Sequence, residues 1–300
     1  MYAIIGASGN TGKVVAGKLL EAGKKVRVIG RDPSRLRQLE EKGGEVVLAN
    51  VLDSEEITEA FTGAEGVYLM IPPNPSHANT LEYDEQVINA LATAVEEAEV
   101  KHAVVLSSIG ADKPEKTGPV IGLRNLEHKL NGISGLNAIY LRAGYFMENL
   151  LPQVSVIKSF GMMGGPVRSD LKLPMIATRD IGATAAQELL NLSFSGQRTR
   201  ELLGQRDLSY QVAAGIIGKA IGKPDLCYMQ LPAAQLKPTL TQMGMSPNFV
   251  DLLLQMTDSL NSGYMAPLEP RSAHNTTPTS LETFVAQEFV PRYTGKTANA

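Results

Sequence analysis

Residues 2–20 read YAIIGASGNTGKVVAGKLL, with glycines at positions 6, 9 and 12 directly after a short apolar run. The run that ends at Ile5 predicts a buried strand, and the apolar pairs Val15-Ala16 and Leu19-Leu20 recur at the spacing of one helix face. A strand, a glycine-rich turn and a helix in this order indicate an anion-binding loop, because glycine permits a tight turn and a close approach of the backbone to phosphate. The first turn of the helix adds unpaired N–H groups and the positive end of the helix dipole. The stretch therefore predicts a dinucleotide site whose pyrophosphate is held by Gly6, Ser8, Gly9, Asn10, Thr11 and Gly12.

After this unit the sequence alternates between short apolar runs and amphipathic stretches. The apolar runs predict strands at Lys25–Ile29, Glu45–Ala49, Gly66–Ile71, His102–Ser107 and Ala138–Arg142. The amphipathic stretches predict helices at Pro33–Lys42, Ser54–Phe61, Thr80–Glu97 and Leu123–Asn131. Such alternation favours parallel strands joined by right-handed crossovers, and uniformly apolar strands favour a sheet covered on both faces. We expect an α/β fold with a Rossmann-type doubly wound parallel sheet and with ligands at the carboxyl ends of its strands.

The alternation weakens beyond about residue 150, which suggests a second region. We expect an NAD(P)-binding domain over residues 1–152 and a smaller C-terminal substrate-binding region over residues 153–291. Residues 175–191 keep part of the alternating pattern and are expected to return to the first domain. Residues 292–300 lack apolar periodicity, which predicts a flexible tail.

Eight of the eleven methionines follow residue 150. Their flexible, polarizable side chains suit a pocket for flat or varied apolar substrates, and equally suit the filling of irregular gaps in a small core. The residues concerned include Met162, Met163, Met243, Met245 and Met256.

Composition and charge limit the classes of partner. The chain has 300 residues, a formal net charge of -3 and no block of basic residues, which favours a small-molecule partner over nucleic acid. The single cysteine, Cys227, allows no intramolecular disulfide and no multi-cysteine metal site, so we expect no metal. No charged n-region precedes the first apolar run, and no apolar run approaches about 18 residues. We therefore expect a cytoplasmic protein without a membrane span.

The end of the second predicted strand bears on the choice between NAD(H) and NADP(H). An acid there holds the ribose 2'-hydroxyl of NAD, whereas an arginine accommodates a 2'-phosphate. The sequence offers both, as Arg31 and Asp32, but Asp32 followed by Pro33 is typical of a helix N-cap and first helical residue. Arg31 and Arg35 then remain for the phosphate, so the sequence predicts NADP(H) in preference to NAD(H).

The third predicted strand ends in Asn50-Val51-Leu52-Asp53, which is placed to line the adenine. We assign Asn50 to the adenine edge, with Val51 beside it. Asp53 has an alternative role as a helix N-cap, in which Glu56 completes a capping box.

Four motifs in this order give the chain a resemblance to the NmrA-like branch of the atypical short-chain dehydrogenases. They are GASGNTG at 6–12, LSSIGA at 106–111, LRAGYFMENL at 141–150 and IATRDIG at 176–182. This branch includes quinone reductases, triphenylmethane-dye reductases and plant benzylic ether reductases. We assign Ile71 to the cofactor, and the resemblance implies that Pro72, Pro73, Ser107, Ser108 and Ile109 border the nicotinamide ribose. It also implies that Ile109, Tyr145, Phe146 and Asn149 line the acceptor pocket, and that Asp180 and Ile181 pack a returning C-terminal loop onto the cofactor domain.

The acid–base pair of the wider superfamily is missing. That pair is a tyrosine, which protonates a carbonyl oxygen, and a lysine four residues later. The corresponding helix reads GLRNLEHKL over 122–130, and no tyrosine lies between Tyr83 and Tyr140. Benzylic ether reductases use a lysine near the start of this helix, where the chain has Arg124 or Asn125. Because arginine stays protonated, it cannot shuttle a proton.

Four residues remain as candidates for catalysis. His128 and Lys129 are titratable. They lie off the apolar stripe formed by Leu123, Leu126 and Leu130, so the alternative is that both are exposed on a solvated helix face. Ser108 could bond an acceptor oxygen or close a turn. Tyr145 is the fourth candidate.

Together these patterns favour an NADPH-dependent reductase of quinone-like or other conjugated acceptors. Hydride transfer to such acceptors proceeds without a dedicated acid, because positioning alone is worth roughly 7–11 kcal/mol in favourable cases. The alternative is a non-catalytic NADP(H) sensor that acts through a protein partner. A third hypothesis, a sugar-nucleotide or isoflavonoid-type enzyme, requires a tyrosine on this helix or a lysine near its start, and the sequence has neither at those places. The sequence does not exclude a homodimer.

Overall fold

Seven parallel strands form the central sheet of the structure, a computed structural model that describes residues 1–295. Their order across the sheet is β10-β6-β5-β4-β1-β2-β3, so β1 lies between β4 and β2. The chain runs outward from β1 first on one side and then on the other, which creates a topological switch point at the carboxyl end of β1. The seven strands are β1 (Tyr2–Ile5), β2 (Val26–Gly30), β3 (Glu45–Leu48), β4 (Gly66–Leu69), β5 (His102–Ser108), β6 (Asn137–Ala143) and β10 (Gln197–Leu202).

Helices cover both faces of this sheet. Ala3 and Ile5 of β1 point into a core shared with α3, α4 and α5, whereas Ile4 points into a second core shared with α1 and α7. Alternate side chains of a strand point to opposite faces, so the apolar run after Met1 serves both cores. The helices are α1 (Gly12–Glu21), α2 (Arg37–Glu41), α3 (Ser54–Phe61), α4 (Thr80–Glu97), α5 (Val120–Asn131), α6 (Gln153–Phe160), α7 (Thr178–Asn191), α8 (Tyr210–Ala220), α9 (Ala233–Gln242), α10 (Pro247–Asn261), α11 (Leu281–Phe284) and α12 (Val290–Thr294).

A third core lies beyond the carboxyl ends of the parallel strands. It contains Met163, Leu173, Tyr210 and Phe284, and two small sheets border it. One sheet has the order β11-β9-β7 and the other pairs β12 with β8. Their strands are β7 (Tyr145–Phe146), β8 (Met163–Gly165), β9 (Leu173–Ile176), β11 (Asp207–Leu208) and β12 (Tyr228–Gln230). Because β7 follows β6 after one residue, this core is joined directly to the carboxyl edge of the main sheet.

The α/β fold and the parallel sheet of Rossmann type confirm the sequence prediction, with three local differences. The predicted helix Pro33–Lys42 is split into a 3-10 turn, Pro33–Arg35, and α2. Strand β10 was not predicted, because its sequence QRTREL carries charges suited to the exposed edge that it occupies. The predicted tail from residue 292 is helical through Thr294, and residues 296–300 lie outside the described residues.

Within residues 1–295, every helix is too short or too polar to cross a membrane. The segment 175–191 contains the end of β9 and α7, which packs on α1: a Cβ at Gly182 would lie 2.7 Å from Cβ of Val14. Asp180 at the start of α7 accepts hydrogen bonds from the backbone N and Oγ1 of Thr279 at 2.9 and 2.6 Å. The segment around Thr279 is thereby attached to α7, a helix that covers one face of the main sheet.

Candidate functional site

A cavity of about 960 Å³ lies at the carboxyl ends of the parallel strands. Its volume is near the upper end of the roughly 300–1,000 Å³ typical of small-molecule sites. The segments that follow β1, β2, β3, β4, β5 and β6 all contribute to its wall. The cavity thus spans the switch point at β1, where open α/β sheets bind their ligands.

The glycine-rich loop after β1 forms one wall, with Gly6, Ser8, Gly9, Asn10 and Thr11 in the lining. Gly6 has φ +65°, and the amide of Gly9 donates to its carbonyl oxygen at 2.8 Å, which makes the turn tight. Gly12 does not line the cavity. A Cβ at position 12 would lie 2.2 Å from the carbonyl oxygen of Gly6, so this glycine is needed for the packing of α1 on the loop.

The same loop has donors available for an anion. In the part of the chain that the structure describes, the amides of Ser8, Asn10 and Thr11 form no hydrogen bond with a protein acceptor. Thr11 precedes α1 without a side-chain cap, since its Oγ1 is bonded to the hydroxyl of Tyr68 at 2.9 Å. A tight loop, unpaired amides and an uncapped helix N-terminus fit the pyrophosphate of a dinucleotide.

Two arginines and an aspartate line the cavity after β2. Asp32 caps the 3-10 turn, where Oδ1 accepts hydrogen bonds from N and Oγ of Ser34 at 2.9 and 2.6 Å, and these bonds lower the pKa of its carboxyl group. Arg31 and Arg35 are exposed, and within residues 1–295 neither forms an ion pair. Arg35 donates a hydrogen bond of 3.3 Å to the carbonyl oxygen of Ser8, which holds it beside the glycine-rich loop. Both guanidinium groups are therefore available to an anionic ligand.

Ala49 and Val51 line the cavity, and Asn50 between them does not. The Oδ1 atom of Asn50 accepts a hydrogen bond from the amide of Leu52 at 3.2 Å in a local turn. The assignment of Asn50 to the adenine edge stays a prediction. The proposed capping box is wrong in detail. Asp53 caps α3, but the carboxylate of Glu56 accepts from the amide of Asn50 at 2.6 Å instead of from Asp53.

The segments after β4 and β5 border the opposite part of the cavity. Ile71, Pro72, Pro73, Ser107, Ser108 and Ile109 all line it. Ser108 Oγ donates to the carbonyl oxygen of Ile109 at 3.0 Å. Ser107 Oγ donates to Oε1 of Glu127 at 2.5 Å. Neither hydroxyl proton therefore points to the cavity in this structure.

Glu127 is a buried residue that the sequence interpretation missed. Its carboxylate accepts hydrogen bonds from Nε and Nη2 of Arg142 at 3.0 and 2.6 Å. A signal was present, because Glu127 lies four residues after Leu123 and three before Leu130, on the apolar stripe of α5. A carboxylate on a buried helix face requires a partner, and Arg142 on β6 supplies it.

Two of the catalytic candidates are not brought to the cavity. His128 and Lys129 are exposed to solvent and do not line it. They lie in the last turn of α5, where a cation interacts favourably with the helix dipole. Val120 and Leu123 are the residues of α5 that line the cavity.

The segment after β6 brings Tyr145, Phe146 and Asn149 to the cavity. The hydroxyl groups of Tyr145 and Tyr210 are 2.8 Å apart. Tyr210 on α8 stacks on Tyr228, with ring centroids 4.4 Å apart, and Tyr228 donates to the carbonyl oxygen of Val167 at 2.9 Å. No pattern in the sequence indicates this cluster, because Tyr210 and Tyr228 lie 65 or more residues from Tyr145 and belong to different elements.

The outer wall at this end is mainly apolar. Of the five methionines considered in the sequence, Met256 alone lines the cavity within residues 1–295, and Met163 is buried in the third core. Met162, Met243 and Met245 do not reach the wall, and Met70 and Met265 do. The other residues of this wall are Leu171, Lys172, Leu173, Pro174, Leu260, Ala266 and Pro267.

Comparison with known proteins finds relatives that match this chain over most of its length. NAD(P)H azoreductase of Xenophilus azovorans is 27% identical over 268 residues, which are 89% of each chain. The crystal structure of the NADPH-dependent quinone oxidoreductase QOR2 of Escherichia coli, complexed with NADPH, aligns with a TM-score of 0.78 and 25% identity over 95% of this chain and 98% of that one.

A third protein shares the fold at lower identity. The triphenylmethane reductase of Citrobacter sp., complexed with NADP(H), aligns with a TM-score of 0.80 and 17% identity over 98% of this chain and 100% of that one. The model of the NmrA-like family matches residues 2–285, which include the glycine-rich loop, the cavity and most of the third core. The chain therefore belongs to the NmrA-like family.

Proposed function

We propose that this protein is an NADPH-dependent reductase of quinone-like or other conjugated small molecules. The observation that carries the proposal is the continuity of one cavity from the glycine-rich loop to an apolar wall on the far side of the switch point. A dinucleotide that is bound along the carboxyl edge of the sheet and an acceptor that rests on the apolar wall would then share a single cavity.

The residues along the cavity suggest how the dinucleotide lies. The amides of Ser8, Asn10 and Thr11 bind the pyrophosphate, and Ala49 and Val51 contact the adenine. Arg31 and Arg35 bind the 2'-phosphate, because their guanidinium groups have no carboxylate partner among residues 1–295. An NAD(P)H azoreductase and a quinone oxidoreductase complexed with NADPH among the relatives are consistent with this choice.

The opposite end of the cavity suggests the acceptor. A bound NADPH supplies a hydride. Ile71, Pro72 and Pro73 orient the nicotinamide end, and the wall formed by Leu173, Met256 and Met265 receives a flat apolar molecule. Holding two reactants in contact removes roughly 7–11 kcal/mol of a barrier in favourable cases. An azoreductase and a quinone reductase among the relatives are consistent with such an acceptor.

The non-catalytic sensor is the second candidate. It is favoured by one observation: the residues of α5 that line the cavity, Val120 and Leu123, offer no proton donor. A sensor acts through a change of shape or assembly, so NADP+ and NADPH should alter its hydrodynamic radius or oligomeric state differently. A reductase needs only to bind both.

Stopped-flow loss of nicotinamide absorbance tests the proposal directly. The purified protein is mixed with NADPH and a panel of benzoquinones, naphthoquinones, azo dyes and a cationic triphenylmethane dye. We expect multiple turnovers with at least one acceptor and a lower Kd for NADPH than for NADH. Tight NADPH binding without turnover of any acceptor would contradict the reductase and favour the sensor.

A further inference from the structure

Tyr145 and Tyr210 form a hydrogen-bonded pair between the cavity and the third core. Tyr145, the first residue of β7, lines the cavity, and Tyr210, the first residue of α8, is 4% exposed. The two hydroxyl oxygens are 2.8 Å apart. Among residues 1–295, the hydroxyl of Tyr210 has Tyr145 as its one hydrogen-bond partner.

The burial of Tyr210 favours one of the two possible directions of this hydrogen bond. A phenolic hydroxyl carries one proton, and a buried donor without an acceptor costs about 1–3 kcal/mol. If Tyr145 donated to Tyr210, the proton of Tyr210 would have no acceptor in the described structure. With Tyr210 as the donor, the proton of Tyr145 is left for a ligand in the cavity or for the neighbouring side chain of Asn149.

Both tyrosines keep their protons at neutral pH. Burial raises the pKa of Tyr145, and burial together with the adjoining Tyr145 raises the pKa of Tyr210 well above its usual value. A neutral Tyr145 that accepts a hydrogen bond from Tyr210 is a better donor on its other side, because hydrogen bonds in a chain polarise one another.

The other hydroxyl groups near Tyr145 have already given their protons to protein acceptors. Ser107 donates to Glu127, Ser108 to Ile109, and Thr178 donates to Oε1 of Glu148 at 2.6 Å. Tyr145 follows β6, whose last residue lies beside Ser108 of β5 in the sheet. It is therefore at the end of the cavity that the proposed function assigns to the nicotinamide and the acceptor.

We propose that Tyr145 is a catalytic residue that donates a hydrogen bond to the carbonyl oxygen of a conjugated acceptor, and that Tyr210 is its positioning residue. The inference rests on the proposed reductase function and narrows its substrates to acceptors that carry such an oxygen. Reduction adds two electrons and one hydrogen nucleus to the acceptor as a hydride, which leaves one negative charge on that oxygen, and a proton from water then neutralises it. A donor aimed at this charge stabilises the transition state more than the ground state.

The test compares two acceptors with different charge changes. A quinone becomes an oxyanion when it is reduced, whereas a cationic triphenylmethane dye becomes neutral and has no oxyanion. Tyr145→Phe should lower kcat for the quinone about 100-fold, as loss of one oxyanion donor does, and leave kcat for the dye within about threefold. Tyr210→Phe should lower kcat for the quinone about tenfold with little change in KM, since it frees Tyr145 to rotate. Equal losses for quinone and dye, or no loss for either, would overturn the proposal.

A matched variant controls for damage to the tyrosine cluster. Tyr228→Phe removes the hydrogen bond to Val167 and retains the stacked ring beside Tyr210. We expect it to leave the ratio of quinone to dye turnover unchanged. A Tyr228→Phe variant that lowers the ratio as much as Tyr145→Phe would also overturn the assignment, because the effect would then belong to the cluster as a whole.

Ligand binding gives a readout that does not depend on turnover. 4-Nitrophenolate is a coloured analogue of the anionic product, and it is titrated into the complex with NADP+. Tyr145→Phe should weaken its binding about tenfold, the loss expected for one hydrogen bond to a charged group, without a change in the Kd of NADP+. If the wild-type protein reduces no acceptor, the proposed reductase function is contradicted. The titration still tests whether Tyr145 donates a hydrogen bond to an anionic oxygen in the cavity. Unchanged affinity in the variant, or no binding to the wild-type complex, contradicts that role.

Discussion

The hydroxyl of Ser107 donates a 2.5 Å hydrogen bond to the carboxylate of Glu127, which joins the end of β5 to the buried face of α5. Arg142 on β6 completes the network with two hydrogen bonds to the same carboxylate. By resemblance, α5 is the helix that carries the tyrosine and lysine of better-known short-chain dehydrogenases. In this chain the buried polar residue of α5 is Glu127, which contacts Ser107 and Arg142 and does not line the cavity.

Removing the charge of Glu127 should destabilise the fold. Glu127→Gln keeps the shape of the side chain but leaves the guanidinium of Arg142, which is 13% exposed, without a carboxylate. Breaking a buried ion pair costs about 3–5 kcal/mol in the free energy of unfolding. Urea denaturation measures the change. Glu85→Gln on the exposed face of α4 is the control and should change the free energy of unfolding by less than about 0.5 kcal/mol. Similar values for the two variants would show that the ion pair contributes little.

Two glycines of α1 should respond in opposite ways to alanine. At Gly12 a Cβ would lie 2.2 Å from the carbonyl oxygen of Gly6, whereas at Gly17 it would meet nothing within 4 Å. Gly12→Ala should therefore distort the loop and abolish dinucleotide binding. Gly17→Ala should retain binding and raise the free energy of unfolding by up to about 1 kcal/mol, because alanine is the better helix former. Isothermal titration with NADPH and urea denaturation check both, and wild-type affinity in Gly12→Ala would refute the packing argument.

Replacement of Arg31 should weaken the binding of NADPH and leave the binding of NADH unchanged. Arg31→Ala removes a charged donor beside the proposed 2'-phosphate, a contact worth about 1.5–3 kcal/mol, so the Kd of NADPH should rise at least about tenfold. The Kd of NADH should stay the same, because NADH lacks the phosphate. Arg37→Ala is a control on α2, where Arg37 pairs with Glu41 outside the cavity. If Arg31→Ala weakened both dinucleotides equally, the assignment of the 2'-phosphate site would fail.

Asp84 should make stability depend on pH. This residue of α4 is 7% exposed, and burial raises the pKa of its carboxyl group to about 6, although nearby His77 opposes the rise. The folded state therefore favours the protonated acid, so its contribution is fully present below the unfolded pKa near 4 and is lost as the pH rises through about 6. A pKa difference of this size corresponds to at most about 3 kcal/mol in the free energy of unfolding.

Asp84→Asn isolates this effect because it is isosteric and neutral at every pH. The variant should be more stable than the wild type at pH 8 and equally stable at pH 4, by urea denaturation at both values. Glu85→Gln at the neighbouring exposed position should show no such difference. A gain of the same size at both pH values would point to packing against Gly122 and not to ionisation.

Local patterns in the sequence were sufficient for much of the fold. Helices α3 and α4 begin and end where the sequence predicts, because Asp53 and Asn79 cap them through their side chains and apolar residues recur along one face. Strand β10 escaped prediction because its charged residues suit a sheet edge, where only the position in the sheet explains the strand. The place of Asn50 after β3 was predicted, but the hydrogen bond that its Oδ1 accepts from the amide of Leu52 was not, because no pattern in the sequence indicates it.

The sequence by itself determined the glycine-rich loop, the Asp32 cap and the order of strands and helices, because these features act through neighbours a few residues apart. The tertiary structure decided which distant side chains meet. Ser107, Glu127 and Arg142 come from three elements, and Tyr145 and Tyr210 are 65 positions apart. Such contacts depend on how crossover connections and helix packing bring the carboxyl edge of the sheet against the third core, and no short-range periodicity encodes that arrangement.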